Sequence, residues 1–286
     1  MNTWQAGRFT LNWTTGKPLV MGIVNITPDS FSDGGDHAQA AQAIAHAERL
    51  LAEGADILDL GAESTRPGAD GVDTQEEWAR LKPVLQELVR WNVPLSVDTL
   101  KPAVMQLALE AGADVLNDVN GFRAPAANGV PSALALLAAS PTAGAVVMHM
   151  QGEPRSMQIN PQYSEVCAEV FAFLEGRVSA LAQAGVSAQR VLVDPGFGFG
   201  KTLQHNLALM RDIPRQAALA AGVLIGVSRK RMIGELTGRQ NPKDRLGGSV
   251  AAALYAATHG AAVVRVHDVM ATRDALLVQQ ALAAPA

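Results

Sequence analysis

The sequence predicts a (β/α)8 barrel, a closed α/β fold occupying residues 1–286 as one domain, with a short β-hairpin ahead of it. Three observations predict it. Eight short runs rich in Val, Leu and Ile recur at 19–26, 56–61, 93–98, 114–119, 144–149, 190–194, 223–228 and 261–267. Helical stretches such as 38–53, 73–91, 101–111, 163–184 and 245–259 lie between them, the alternation that gives a parallel sheet covered by helices. Nearly every apolar run ends in a polar or glycine-rich cluster, and in a barrel such clusters converge at one mouth. An open doubly wound sheet would have no natural reason to stop at eight strands. No Ser/Gly linker or shift in composition marks a second domain.

Composition agrees. Hydrophobic residues make up 48% of the 286 positions and charged residues 17%, below the roughly 25% usual for globular chains, so much of the chain must be buried. Lys and Arg number 23 against 27 Asp and Glu, which argues against nucleic acid or an anionic membrane as the main partner. No uninterrupted apolar run approaches the roughly 20 residues that span a bilayer; the nearest, 249–264, is divided by His259 and Gly260. The opening MNTWQAGRF has no apolar signal region or cleavage site, and a cytoplasmic location is expected. The single cysteine, Cys167, allows no intramolecular disulfide and no cysteine-based zinc site. It falls in the helical stripe Val166, Val170, Leu174 and Val178, so an inert buried thiol is favoured over a nucleophile.

Taken in order, residues 7–20 alternate apolar and polar and predict a hairpin turning at Thr15-Gly16. The eight runs are followed in turn by NITPDSFSDGG, GAESTRPGADG, VDT, NDVNG, MHMQGEP, DPGFGFGK, SRKR and RVHD. Turn chemistry explains any one cluster; recurrence after every strand points to a site. The strand ends supply Asp98, Asn117, Asp118, Asp194, Lys230, Arg265, His267 and Asp268. Asp98, Asn117 and Asp194 suit the donors and acceptors of a flat, nitrogen-rich ring, whereas Arg265, His267 and Arg66 suit a phosphate or pyrophosphate. Asp98 stands before Thr99 and a helix, so helix capping and ligand contact are both open to it. Asp194 precedes Pro195 and a glycine-rich turn, which favours ligand contact. The stretch DPGFGFGKT is not a phosphate loop, because Pro195 occupies the position where that motif needs glycine and lacks an N–H. The spacing of a dinucleotide fingerprint, the Gly-x-Ser-x-Gly elbow and the His-Glu-x-x-His zinc motif are all missing from the sequence.

Five of these motifs, in order between Leu19 and Asp268, carry a family resemblance. NITPDSFSDGG at 25–35, GAESTRPGA at 61–69, MHMQGEP at 148–154, DPGFGFGK at 194–201 and SRK at 228–230 resemble the dihydropteroate synthases of the pterin-binding barrel family. Residues 121–130, GFRAPAANGV, depart from the Gly-Gly and following acid common in relatives. The resemblance implies condensation of 6-hydroxymethyl-7,8-dihydropterin pyrophosphate with 4-aminobenzoate, giving 7,8-dihydropteroate and pyrophosphate with the help of Mg²⁺. It implies that Asp98, Asn117, Asp194 and Lys230 contact the pterin edge and that Arg265 stacks on its face. Asn25, Arg265 and His267 would hold the pyrophosphate, with Asn25 also a metal ligand. Asp33 would act beside the cation, completing a catalytic set with Lys230, Arg265 and His267. Phe31, Thr65, Arg66, Pro67, Phe199, Lys201 and Ser228 would frame the 4-aminobenzoate pocket, which sulfonamides should also enter. The pterin can delocalise charge from its methylene carbon and an arylamine is a poor nucleophile, so departure of pyrophosphate before attack is expected, with no covalent protein nucleophile. The family also implies a homodimer, for which the Ala-rich helix 245–259 is a candidate interface; that face could equally pack on the barrel. Two alternatives are a methyltetrahydrofolate:corrinoid methyltransferase, which needs no pyrophosphate site, and a pterin-binding barrel without catalysis.

Overall fold

A computed structural model describes residues 2–27, 36–63, 71–152 and 157–284, with the side chains at 36 and 37 left out. It opens with the hairpin β1 (Asn2–Ala6) and β2 (Phe9–Trp13), paired antiparallel from Asn2↔Trp13 to Ala6↔Phe9. The turn is therefore at Gly7-Arg8, not Thr15-Gly16. Gly7 holds φ 61°, and a side chain there would sit 2.5 Å from the Asp114 carboxylate that also binds Arg8 at 2.9 Å. Thr15-Gly16 forms a second tight turn, closed by the Thr14↔Lys17 bridge. The period-two alternation was sound, but it began five residues earlier, at Asn2.

Eight parallel strands then close the barrel: β3 (Leu19–Asn25), β4 (Ile57–Gly61), β5 (Leu95–Asp98), β6 (Val115–Asp118), β7 (Gly144–Met148), β8 (Val191–Asp194), β9 (Gly222–Ile225) and β10 (Val263–Val266), with β10 pairing back to β3. Each predicted apolar run overlaps one of them. Between and after them lie α1 (Asp36–Ala52), α2 (Thr74–Leu88), α3 (Pro102–Glu110), α4 (Ala133–Ala139), α5 (Val166–Gln183), α6 (Leu203–Arg211), α7 (Ile213–Gln216), α8 (Arg231–Thr237), α9 (Leu246–Thr258) and α10 (Val269–Ala283). Local chemistry sets their starts: Asp73 caps α2, Ser132 caps α4, and Thr202 with His205 forms a capping box on α6.

The barrel interior divides along its axis. At the end where the strands begin, Met21, Ile57, Val115, Val146, Leu192, Leu224 and Val263 pack against Trp4 and Trp13 of the hairpin. The hairpin is thus a plug, pinned by Trp4 Nε1 donating to the Arg190 carbonyl at 3.0 Å. At the other end, the inward positions become polar, and there the site lies.

One expectation is corrected in the helical shell and one open alternative is closed. Cys167 is half-buried rather than buried: the inward face of α5 is Val166, Val170, Leu174 and Leu181, and Cys167 sits at its edge. Burial still raises its thiol pKa, so it stays inert. Asp98 caps no helix, because α3 starts after Lys101 with Pro102 in its first turn. The divergent segment 121–130 is anchored by Asp118, whose two oxygens accept from the N–H groups of Asn120 at 2.7 Å and Phe122 at 2.6 Å. Asp118 is fully buried, and burial pushes its carboxyl up to about 6. It holds a loop rather than facing the mouth.

Candidate active site

Strand register assembles the site. Asn25 pairs with Gly61, Gly61 with Asp98 and Asp98 with Asn117, so four consecutive strands bring these positions into one layer. On the far side of the barrel, Met148 pairs with Asp194. Arg265 reaches across from β10, its Nε donating to Asp59 Oδ2 at 2.5 Å and its Nη2 to Asp98 Oδ2 at 3.1 Å. Asn117 Nδ2 donates to the same Asp59 carboxylate at 3.3 and 3.4 Å. Asp98 Oδ1 is buried and accepts no hydrogen bond among the described residues. A buried acceptor without a donor is costly, so this atom marks a place where a ligand N–H belongs.

The electrostatics follow from crowding charges in a largely buried barrel end. Burial raises the Asp98 carboxyl to about 7; Arg265 opposes the shift, while Asp59, Glu77 and Asp118 add to it. Burial also raises Asp194, against the pull of Lys230 and the Gly196 N–H, which donates to Asp194 Oδ1 at 2.7 Å. Lys230 is lowered by burial to about 8, opposed by Asp194. Its ammonium donates to the Phe197 carbonyl at 2.6 Å and lies 4.9 Å from the centre of the Phe199 ring. For Arg265, burial works against the charge but Asp59 and Asp98 outweigh it, so the guanidinium stays cationic.

The ends of β9 and β10 are locked together. Ser228 Oγ lies 3.0 Å from His267 Nδ1 and accepts from the His267 backbone N–H at 3.2 Å. Arg229, left-handed at φ 58°, forms a two-pronged ion pair with Asp268. That contact fixes the turn from which Lys230 projects, which leaves Asp268 a support rather than a ligand group.

The DPGFGFGK turn owes its glycines to backbone contact. A side chain at Gly196 would meet the His149 carbonyl at 1.9 Å, and one at Gly200 would meet the Gln151 carbonyl at 2.3 Å. Lys201 closes this contact. It is 3% exposed, and its ammonium donates to His149 Nδ1 at 3.0 Å and to the carbonyls of Phe199 at 3.0 Å and His149 at 3.4 Å. Burial lowers Lys201 to about 7, and burial with the adjacent Lys201 charge lowers His149 to about 3. In this structure the Lys201 ammonium clamps two loops and is not presented to a ligand.

Phe31, Asp33, Thr65, Arg66 and Pro67 lie outside the described residues. Asn25, Asp98, Asn117, Asp194, Phe199, Ser228, Lys230, Arg265 and His267 sit on or just past strand ends at the polar end of the barrel. Sequence reasoning missed Asp59, a fully buried acid inside the apolar run ILDLG. The signal was present: an acid at an inward position of a barrel strand needs a partner. It also missed Lys101, which joins Glu63 at 2.7 Å and the buried Glu77 at 2.6 Å, tying the base of the second loop to α2. Glu63 accepts in addition from the Val72 N–H at 3.0 Å, so residues on both flanks of 64–70 are held together. Among the described residues no cluster of three or more His, Cys, Asp or Glu is placed to hold a metal ion, and no helix is long and apolar enough to cross a membrane.

Comparison with known proteins gives a consistent result. Residues 21–267 match the family described as pterin binding enzyme. The chain is 54% identical over 286 residues to the dihydropteroate synthase of Neisseria meningitidis serogroup B, covering 98% of each. It superposes on the Burkholderia cenocepacia dihydropteroate synthase complexed with 7,8-dihydropteroate with a TM-score of 0.87 and 47% identity, covering 98% of this chain and 96% of that one. The Yersinia pestis dihydropteroate synthase in a sulfonamide drug complex matches with a TM-score of 0.88 and 42% identity, covering 98% of each chain.

Proposed function

The chain belongs to the pterin binding enzymes, and within them to the dihydropteroate synthases, and from that membership we propose how its own residues carry out the reaction. The reaction condenses 6-hydroxymethyl-7,8-dihydropterin pyrophosphate with 4-aminobenzoate to give 7,8-dihydropteroate and pyrophosphate. One observation carries the reading of the site: the buried Oδ1 of Asp98, unpartnered among the described residues, in one register layer with Asn117 and held beside Arg265. A flat ring edged with N–H and C=O groups supplies what these side chains lack. Asp98, Asn117 and Asp194 bind that edge, Lys230 contributes a donor, and the Arg265 guanidinium stacks on the face.

Asn25, Arg265 and His267 hold the pyrophosphate in this reading. Mg²⁺ fits as a companion of the pyrophosphate: Asn25 offers a carboxamide oxygen, and Mg²⁺ in phosphate sites takes few protein ligands. When bound it neutralises charge on the departing group. The positive guanidinium of Arg265 and ammonium of Lys230 favour the leaving group electrostatically, so loss of pyrophosphate precedes attack by the arylamine. No covalent protein nucleophile enters. Phe199 and Ser228 frame the 4-aminobenzoate pocket together with Phe31, Thr65, Arg66 and Pro67, while Lys201 shapes it through the loop it clamps. Asp33 acts beside the cation by family analogy. Sulfonamides, with an arylamine para to an acidic group, take the same pocket, a reading that the Yersinia pestis complex supports. The setting is the cytoplasm, where a chain with a single half-buried thiol needs no disulfide, and the working form is a homodimer.

The test is pyrophosphate release by the full chain. Sustained release should require 4-aminobenzoate, yield 7,8-dihydropteroate, stop on chelation and resume with added Mg²⁺. Turnover in metal-free buffer would remove the Mg²⁺ assignment. Methyl transfer from methyltetrahydrofolate to a corrinoid, without condensation, would overturn the reading as a whole.

A further inference from the structure

Asp59 lies in the middle of β4, paired in register with Ile23 on one side and Ser96 on the other. It is fully buried and sits one inward position below Gly61, the neighbour of Asp98. Two residues earlier on the same face, Ile57 belongs to the apolar plug, so the strand changes character between these two positions. Stability does not account for an acid here. Replacing a buried ion pair by apolar residues of similar volume is often neutral or stabilising. What Asp59 does is hold two side chains at once.

We propose that Asp59 is a positioning residue, the hub that orients both Arg265 and Asn117 toward the pterin ring; the inference rests on the pterin contacts proposed for those two residues. Arg265 has a long, flexible stem. Its Nε donates to Asp59 at 2.5 Å while Nη2 donates to Asp98 at 3.1 Å, so one edge of the guanidinium spans two carboxylates and its plane is set. Without Asp59 the guanidinium would rest on Asp98 alone, the group that must receive the ligand. The Asn117 contact is equally directional. An ionised carboxylate only accepts, so Asn117 must turn Nδ2 toward Asp59, which leaves its carbonyl oxygen for a ring donor. Asparagine in place of Asp59 would have a donor of its own, and Asn117 could then flip.

Asp59→Asn in the full chain tests this, with wild type alongside. Expected are a melting temperature within a few degrees of wild type and a Kd for 6-hydroxymethyl-7,8-dihydropterin pyrophosphate raised at least about tenfold. The KM for 4-aminobenzoate, at saturating pterin substrate, should stay within about threefold. A residue acting through Arg265 and Asn117 must couple to both, so adding Asp59→Asn to the double variant Arg265→Ala with Asn117→Ala should weaken pterin binding by less than about threefold more. Pterin affinity of Asp59→Asn within about twofold of wild type, or an Asp59→Asn effect that multiplies in full onto the Arg265→Ala, Asn117→Ala background, overturns the proposal. Failure of the wild type to bind the pterin substrate would instead sink the functional reading beneath it. Should Asp59→Asn not fold, nitrogen NMR of the wild type decides: a slowly exchanging Arg265 Nε–H before any ligand is expected, and rapid exchange with solvent overturns the idea.

Discussion

At Asp98, burial and three neighbouring acids converge on a single carboxyl group. Arg265 from β10 opposes its shift, and Asp59 from β4, Glu77 from α2 and Asp118 from β6 add to it, leaving it near 7. The sign matters. An acid whose folded-state pKa is raised favours the fold in its neutral form, so its contribution is greatest below the ordinary carboxyl range and is lost as pH rises through about 7. A ring N–H at Oδ1 reverses this, because it stabilises the carboxylate. Binding should therefore expel a proton. Titration calorimetry with 6-hydroxymethylpterin, which carries no phosphate to titrate, should show proton release at about pH 6 and much less at about pH 8, with affinity rising between them. Proton uptake at the lower pH would contradict a ligand donor at Asp98. Asp98, Asn117, Asp194 and Arg265 were legible in the sequence because they end apolar runs. Asp59 showed only as an acid inside an apolar run; its role was not legible, since its partners stand 58 and 206 positions away along the chain. The clamp made by Lys201 was hidden for a similar reason, its partner His149 being 52 positions away.

Elements were legible where a period was long enough to show. The eight barrel strands and the helices α1, α2, α3, α5 and α9 follow directly from alternation of apolar runs with helical stretches. The hairpin turn was misplaced because Thr15-Gly16 and Gly7-Arg8 both carry turn chemistry, and the pairing from Asn2↔Trp13 to Ala6↔Phe9 puts the hairpin's turn at Gly7-Arg8. Helix α2 hides a further feature on its inward face, the fully buried Glu77, whose charge is compensated by Lys101 from the loop after β5. Burial raises the Glu77 pKa while Lys101 lowers it, the signature of a pair that must be kept whole. Lys101→Met should cost about 3 kcal/mol or more in urea unfolding, because it leaves a buried carboxylate unpaired. The double variant Lys101→Met with Glu77→Leu should recover most of that loss. Equal losses in the single and double variants would show that the pair matters through something other than its buried charge.

At the scale of the whole molecule, the barrel has two ends already accounted for, an apolar base plugged by Trp4 and Trp13 and a polar mouth. Its flank is different. A groove of about 670 Å³ runs between α9 and α10, lined by Leu254, Ala275, Val278 and Leu282. A second, of about 370 Å³, lies between α6, α8 and α9, lined by Met210, Leu236 and Tyr255 among others. Helix α9, the Ala-rich segment, contributes to both. Val278 is 60% exposed, Leu282 83% and Leu236 54%, so three strongly exposed aliphatic side chains line these two grooves. Exposed apolar side chains grouped around one helix mark an association surface, and a two-fold pairing would bury them against their own copy. The proposed homodimer should form through α9 and α10, removing on the order of 800 Å² per chain from water. Val278→Glu places a charge at the centre of that contact, where it would be buried without a partner. In sedimentation, wild type should run as a dimer and the variant as a monomer. Circular dichroism should be unchanged, since Val278 faces solvent in the isolated barrel. Pyrophosphate release per chain should persist within about threefold, because Val278 lies beyond the first turn of α10 and touches no group of the mouth. A monomeric wild type, or a dimer that survives the charge, would place the contact elsewhere.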